Sequence, residues 1–285
     1  MSTSVDTSFV KQFEREVHEV FQRHGTFMLQ TVRWKNTVKG ATTTFQKVGK
    51  GVATTKARHG QITPMNQSHT AIECTLSDFY AGDWVDQLDE TKVQHDERAV
   101  IARGGAAALG RKVDEQIIAV ADTSSNDIGG DATLTRAILL QAYETLIGND
   151  VPNDGQLFGF LTPRSWSIAM TISEFANGDF IGQQSLPFLV GANPRTWMGV
   201  HWVVHTGLTG KGTATANNLA WHKNAIGYGS AAVVEGAGQS VKSDITWHGD
   251  RASHFVNNMM SGGACLVDDS GVVVISTDDT ASIPA

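Results

Sequence analysis

Apolar positions fall at helical spacing over residues 9 to 21, where Phe9, Phe13, Val17, Val20 and Phe21 are separated by Lys11, Glu14, Arg15, Glu16 and Glu19. This spacing predicts a short amphipathic helix that Gly25 ends. From there to Gly40 no period is sustained, and the segment, with Trp34 between Arg33 and Lys35, reads as an extended arm. At Ala41 the pattern turns to Thr-rich β sequence: TTTFQKV, a turn at Gly49, Lys50 and Gly51, then VATTKA. Over residues 70 to 77, Ile72, Cys74 and Leu76 alternate with Glu73, Thr75 and Ser77, as in a half-buried strand. Residues 41 to 80 thus predict an antiparallel ribbon that, at about 3.3 Å per residue, reaches on the order of 60 Å. Such a ribbon has little core of its own and must lie on something else.

The strongest helical pattern runs from residue 84 to 122, opening at WVDQLDE. Val93, Val100 and Ile101 mark one apolar face, and Ala106, Leu109, Val113, Ile117 and Val120 continue it beyond Gly104 and Gly105. Each glycine costs about 1 kcal/mol against alanine in a helix, so the pair marks a kink, a break or a close backbone approach. Unbroken from Asp89 to Ala121, the helix would be a spine roughly 50 Å long.

Beyond the loop TSSNDIGGD, elements alternate. The pattern predicts a helix over 132 to 147, a strand over 156 to 161 and a helix begun by Pro163, then a Gly- and Pro-rich loop to Asn193 and Pro194. A strand over 198 to 206, a Gly-, Thr- and Asn-rich loop over 209 to 218, and short strands near 219 to 222 and 231 to 235 follow. The tail from Asp244 reads as further strands with a turn at Asp268, Asp269, Ser270 and Gly271. The class this defines is α+β.

Charge sharpens that picture. Charged residues are 18% of the 285, below the usual quarter, so the surface relies on small polar side chains and extensive coverage is expected. Net charge is −7, which argues against a dedicated nucleic-acid binder, but residues 1 to 60 carry ten basic and four acidic side chains while the remainder carry twelve and 25. A basic arm suits the acidic body of another copy. Cys74 and Cys265 form neither a CxxC motif nor a disulfide framework, and read as buried thiols in a reducing compartment. No export signal or membrane span is visible.

Motif-borne chemistry is sparse. His201 and His205 sit on strand-like sequence, where four residues span about 13 Å, and the HExxH glutamate is absent; satisfied or surface histidines are expected. Gly227, Gly229 and Ala232 mimic a dinucleotide fingerprint, yet strand follows where a helix is needed. Residues 207 to 212 resemble a phosphate loop without its spacing. The carboxylate pairs Asp89 and Glu90, Asp96 and Glu97, and Asp114 and Glu115 diverge by about 100° on the spine and read as solvated or intersubunit charges. The tryptophans are scattered as core or interface anchors. No catalytic, cofactor or metal residue is assigned. The competing enzyme reading, a metal-dependent α+β hydrolase, would use His201, His205 and Asp250.

The order of parts, together with AAALGRKVDEQIIAVAD, WHKNAIGYG and GGACLVDDSGVVVIS, resembles the major capsid proteins of tailed double-stranded DNA bacteriophages, the Hong Kong 97-type fold. The resemblance implies an N-terminal arm over 1–40, an extended β-loop over 41–82, and a peripheral domain with the spine helix over 83–127. An axial domain over 128–240 and a return to the peripheral domain over 241–285 complete it. It further implies a structural, non-enzymatic protein without cofactors, made in the bacterial host cytoplasm and residing in the virion capsid. Many copies would assemble as hexamers and pentamers into an icosahedral shell around packaged double-stranded DNA, without sequence-specific binding. Scaffolding and portal proteins are implied as partners, and a cement protein is admitted; no membrane is. Arg33, Trp34, Lys47, Lys50, Lys56, Arg58, Glu90 and Glu97 are the candidate contacts between copies. Some relatives crosslink a loop lysine to an asparagine; Lys47, Lys50 or Lys56 with Asn257 or Asn258 would be offered here. An encapsulin-like cellular compartment shares the fold and is the nearest alternative.

Overall fold

The computed structural model describes residues 26–92, 96–176, 194–231 and 241–283. The expected helix over 9 to 21, Val93 and the loop before Asn193 lie outside them. A 3-10 turn at Leu29–Thr31 leads into β1 (Arg33–Val38), β2 (Thr42–Val48), β3 (His69–Thr75) and β4 (Ser77–Asp86). The helices α1 (Gln87–Glu90) and α2 (Glu97–Ala121) follow, then β5 (Asp127–Ala132), α3 (Arg136–Gly148), β6 (Leu157–Leu161), α4 (Pro163–Ala169) and α5 (Ser173–Ala176). The remainder is strand: β7 (Arg195–Trp197), β8 (Val200–Val204), β9 (Ala216–His222), β10 (Ile226–Ala231), β11 (Val241–His248), β12 (Ser253–Leu266) and β13 (Val272–Thr277).

Two sheets share the spine. In the first, β12 is central: β4 and β11 flank its first part in antiparallel register, and β10 pairs with its last residues and carries β1 in parallel. In the second, the order is β5-β13-β9-β6-β8-β7. Period-two alternation sorts its side chains onto two faces. Val273, Ile275, Leu157, Leu161, Val200 and Trp202 pack with α3 and α4, whereas Val272, Val274, Leu219, Trp221 and Phe160 pack with α2 and with Met28 and Val32 of the arm. Buried on both faces, β13 reads as the unbroken apolar run VVVI.

Local chemistry sets the helix starts. Asp96 caps α2 by accepting the Ala99 N–H at 3.2 Å, and Thr162 caps α4 by accepting that of Ser165 at 3.1 Å, with Pro163 at the first helical position. Gly104 and Gly105 leave α2 unbroken. A side chain at Gly105 would overlap the Asn258 amide and come within 3.0 Å of the Ala81 carbonyl, so this glycine marks a close approach of helix to sheet. Over 25 residues α2 is about 37 Å long.

Several expectations are corrected. The ribbon does not turn at residues 49–51: β2 pairs with β3, and residues 52 to 57 are not a strand. Their β propensity has no partner to satisfy it. WVD belongs to β4, not to the spine, because Trp84 lies opposite Phe255 in the first sheet. The loop after the spine contains β5, whose Asp- and Gly-rich DIGGDA hides an edge strand beside β13. Of the strand expected near 231 to 235, residues 232 to 235 lie outside the described residues; the unexpected strand Ile226–Ala231 precedes them, and the α3 helix begins at Arg136 rather than 132. Asp114, expected to be solvated or intersubunit, is fully buried.

Candidate functional site

Three elements, arm, loop and spine, carry the exposed or extended segments, and each is locked to the body by its own contacts. The arm is held by Asp114 on the buried face of α2. Its carboxylate accepts the backbone N–H of Phe27 at 3.3 Å and of Met28 at 3.2 Å, and His205 Nε2 lies 3.2 Å away. His205 Nδ1 accepts the Gly207 N–H at 3.2 Å, which leaves Nε2 as the nitrogen that donates to Asp114. Trp221 Nε1 donates to the Thr31 carbonyl at 3.1 Å, a second tie on the same stretch.

The loop divides at Val48. Below it, β2 and β3 are anchored: Phe45 and Cys74 are buried with Cys265 and Val267. Glycines make room for this. A Cβ at Gly227 would stand 2.8 Å from the Phe45 ring, and one at Gly263 would overlap the Thr75 carbonyl oxygen. Arg33 and Lys35 of β1 lie over the Phe45 ring at 5.7 and 4.6 Å, and Arg33 also donates to the Gln46 carbonyl. Above Val48, residues 51–59 and 61–68 are exposed and carry no strand pairing; Val52 and Ile62 stand 72% and 75% open.

The candidate contact residues are therefore spread rather than convergent. Trp34 donates its indole N–H to Ser230 at 2.9 Å. Lys47 pairs with Asp268 at 2.8 Å, and Lys50 pairs with Asp150, so both bind this chain's own body. Lys56 and Arg58 sit in the exposed part of the loop. Glu90 is paired with Arg98 at 2.8 Å, and Glu97 lies at the first turn of α2, half-buried. Asn258 is fully buried and donates to the Ala81 carbonyl at 3.2 Å, which removes it as a crosslinking partner; Asn257 is half-buried beside it.

The hydrolase constellation is not assembled. His201 contacts Thr196 Oγ1 at 2.7 Å and the Gly155 carbonyl at 3.1 Å, His205 faces Asp114, and Asp250 lies in the turn joining β11 to β12, 4.0 Å from His248. Sequence reading missed the roles of Asp114, Phe45, Gly227 and Gly263. A signal for the first was present: Asp114 follows Gly110 and Val113 on the stripe that continues to Ile117.

The lock at Lys47 has a pH signature. Partial burial raises the Asp268 carboxyl, but the hydrogen bonds from Lys47 and Ser270 outweigh it and hold the group below its ordinary value of 3.8. A depressed folded value contributes stability that is present above 3.8 and lost as pH falls through the folded value. Both side chains are more than one-third exposed, so solvent screening limits the pair to about 0.2–1 kcal/mol. Lys47→Ala is expected to lower stability by that amount at neutral pH and by nothing in strong acid, as measured by urea unfolding at the two pH values.

Against known proteins, a family model described as phage capsid protein matches residues 5–279. Among solved structures the fold is similar to that of Mycobacterium phage Che8, with 18% identity, TM-score 0.72, and 96% of this chain and 98% of that chain covered. It is similar also to the capsid of the cyanophage P-SCSP1u, with 18% identity, TM-score 0.74, and 97% and 95% covered. The capsid of Ralstonia phage GP4 matches with 11% identity, TM-score 0.70, and 98% and 97% covered. No curated protein sequence matches. Arm, loop, spine and paired sheets thus form the α+β, Hong Kong 97-like fold of a viral shell subunit. The chain belongs to the phage capsid protein family, and its role is that of a major capsid structural protein, a component of the virion capsid.

Proposed function

We propose that this chain assembles as hexamers and pentamers into the icosahedral head shell that encloses packaged double-stranded DNA. The observation that carries this reading is the loop beyond Val48, an exposed stretch on which Val52 and Ile62 stand largely open, and Met65 half open, among the described residues. Apolar side chains on an extended segment gain burial against another copy. The basic Lys56 and Arg58 on that stretch meet a body whose net charge is negative, so contact between copies is attractive. In this reading residues 41–82 are the extended loop, 83–127 and 241–285 the peripheral domain and 128–240 the axial domain. Scaffolding and portal proteins act on the same subunit in the host cytoplasm, where it is made, and DNA is confined without being read in sequence.

The test is electron microscopy of the chain expressed alone and with its scaffold. Hollow particles of uniform diameter are expected, and Lys56→Glu with Arg58→Glu is expected to reduce their yield at least tenfold while leaving the thermal unfolding of the subunit unchanged. A soluble monomer under every condition, or full particle yield from the charge-reversed variant, contradicts the reading.

A further inference from the structure

Arm, spine and first sheet meet without filling all the space between them. A cavity of about 160 Å³ lies at their junction, lined by Leu29 of the arm, Ala106 and Val113 of α2, and Tyr228, Val241 and Met260 of the sheet. Val113, Tyr228 and Met260 are buried and form its floor. Ala106 is exposed and Val241 half-buried, which places the mouth between the outer side of α2 and the start of β11.

The wall is mainly apolar, and the hydroxyls at its buried end are engaged elsewhere. Tyr228 donates to Gln116 Oε1 at 3.1 Å, and Ser230, also in the wall, accepts the Trp34 indole N–H at 2.9 Å. That end therefore gives water few partners, and an apolar cavity of about 150 Å³ takes up benzene instead of water. The floor favours an aromatic ring over an aliphatic chain. The Tyr228 ring supplies a partner for edge or offset stacking, and the Met260 thioether suits the edge of a ring.

We propose that this cavity binds a small apolar aromatic molecule of one ring, and that the bound ring fastens the arm to the spine. Leu29 and Thr26 form the arm side of the wall, so the site is complete only while the arm is docked. A ligand that binds one of two states shifts the balance toward that state. Val113 in the wall precedes Asp114, whose carboxylate accepts the Phe27 and Met28 amides, so clasp and cavity act on the same stretch of arm. The coupling is reciprocal: whatever loosens the arm weakens the ligand by the factor through which the ligand steadies the arm. Neither the site nor this coupling rests on the proposed shell role.

The probe is toluene, titrated up to its solubility into the unassembled full-length chain. A saturable rise in unfolding temperature is expected, roughly 3 °C at about ten times the dissociation constant. Hydrogen exchange at the Phe27 and Met28 amides should slow in step with it. Ala106→Leu, which sets a larger side chain at the mouth, and Val241→Phe, which narrows it from the sheet side, are each expected to lose the toluene shift. Asp114→Asn, which leaves the wall unchanged, is expected to weaken toluene binding about threefold. No saturable shift in the wild-type chain, or an undiminished shift in both narrowed variants, overturns the site. Saturation that leaves exchange at Phe27 and Met28 unchanged overturns the fastening. The wild-type titration and exchange decide both points even where a variant fails to fold.

Discussion

Gly263→Val is expected to abolish particle formation while the second sheet and its helices stay folded. Gly263 pairs with Gly229 in the first sheet, and a Cβ there would overlap the Thr75 carbonyl oxygen and sit 3.4 Å from Leu76 Cα. These are main-chain atoms of the β3–β4 junction, which no rotamer change can move aside. Overpacking of this kind costs about 1–3 kcal/mol when the surroundings yield a little, and more when they do not. Lifting β3 relieves the overlap, but it withdraws Phe45 and Cys74 from burial and so gives up about 1.5–3 kcal/mol for the phenylalanine alone. The loop is then released at its root, and whatever its exposed part contacts on a neighbour is lost with it. Particle yield by electron microscopy and the rate of Cys74 alkylation in the native subunit measure the two halves of this argument. Yield should fall below detection, and alkylation should accelerate at least tenfold. Wild-type particle yield from the variant would show that the crossing does not hold the loop for assembly.

The spine and the closing strand were legible because each declares itself in local pattern. The stripe of Leu109, Val113 and Ile117 fixes a helix whatever surrounds it, and VVVI at 272 to 275 can only be a strand with both faces covered. Errors arose where a partner decides. VATTKA has the composition of a strand but no neighbour to bond, whereas DIGGDA lacks that composition and becomes a strand because the β13 backbone lies beside it. The locks were less legible still. Gly227 and Gly229 alternate on β10 so that one face carries no side chains, and Phe45 and Thr43 fill it. The sequence shows the vacancy but not its occupant. The stripe through Gly110, Val113 and Ile117 sets Asp114 rather than Glu115 toward the body, but its partners, the arm and His205, are remote in sequence and only they make it a buried acceptor.

Asp114→Ala is accordingly expected to be among the most destabilising single changes in the spine. The substitution removes the acceptor of the Phe27 and Met28 amides and of His205 Nε2, where Asp114, Met28 and His205 are buried and only Phe27 reaches solvent. A stranded buried donor costs about 1–3 kcal/mol, and the Met28 amide and His205 Nε2 are both stranded in buried positions, so a loss of about 4 kcal/mol is expected. The structural consequence is directional. Met28 and Val32 belong to the core cluster of Leu109, Ile117 and Trp221, and the arm that carries them is fastened by Asp114 before the bond from Trp221 to Thr31. Release at Asp114 therefore frees the chain from Phe27 onward before β1 detaches. Hydrogen exchange should report it as lost protection at Phe27 and Met28 with β10 and β12 still protected, and urea unfolding should shift to lower midpoint. Asp114→Asn keeps one oxygen to accept the arm amides but turns an N–H toward the other donors, and should recover part of the loss. Equal destabilisation by alanine and asparagine, with the arm amides still protected in both, would mean that the carboxylate supports the spine and not the arm.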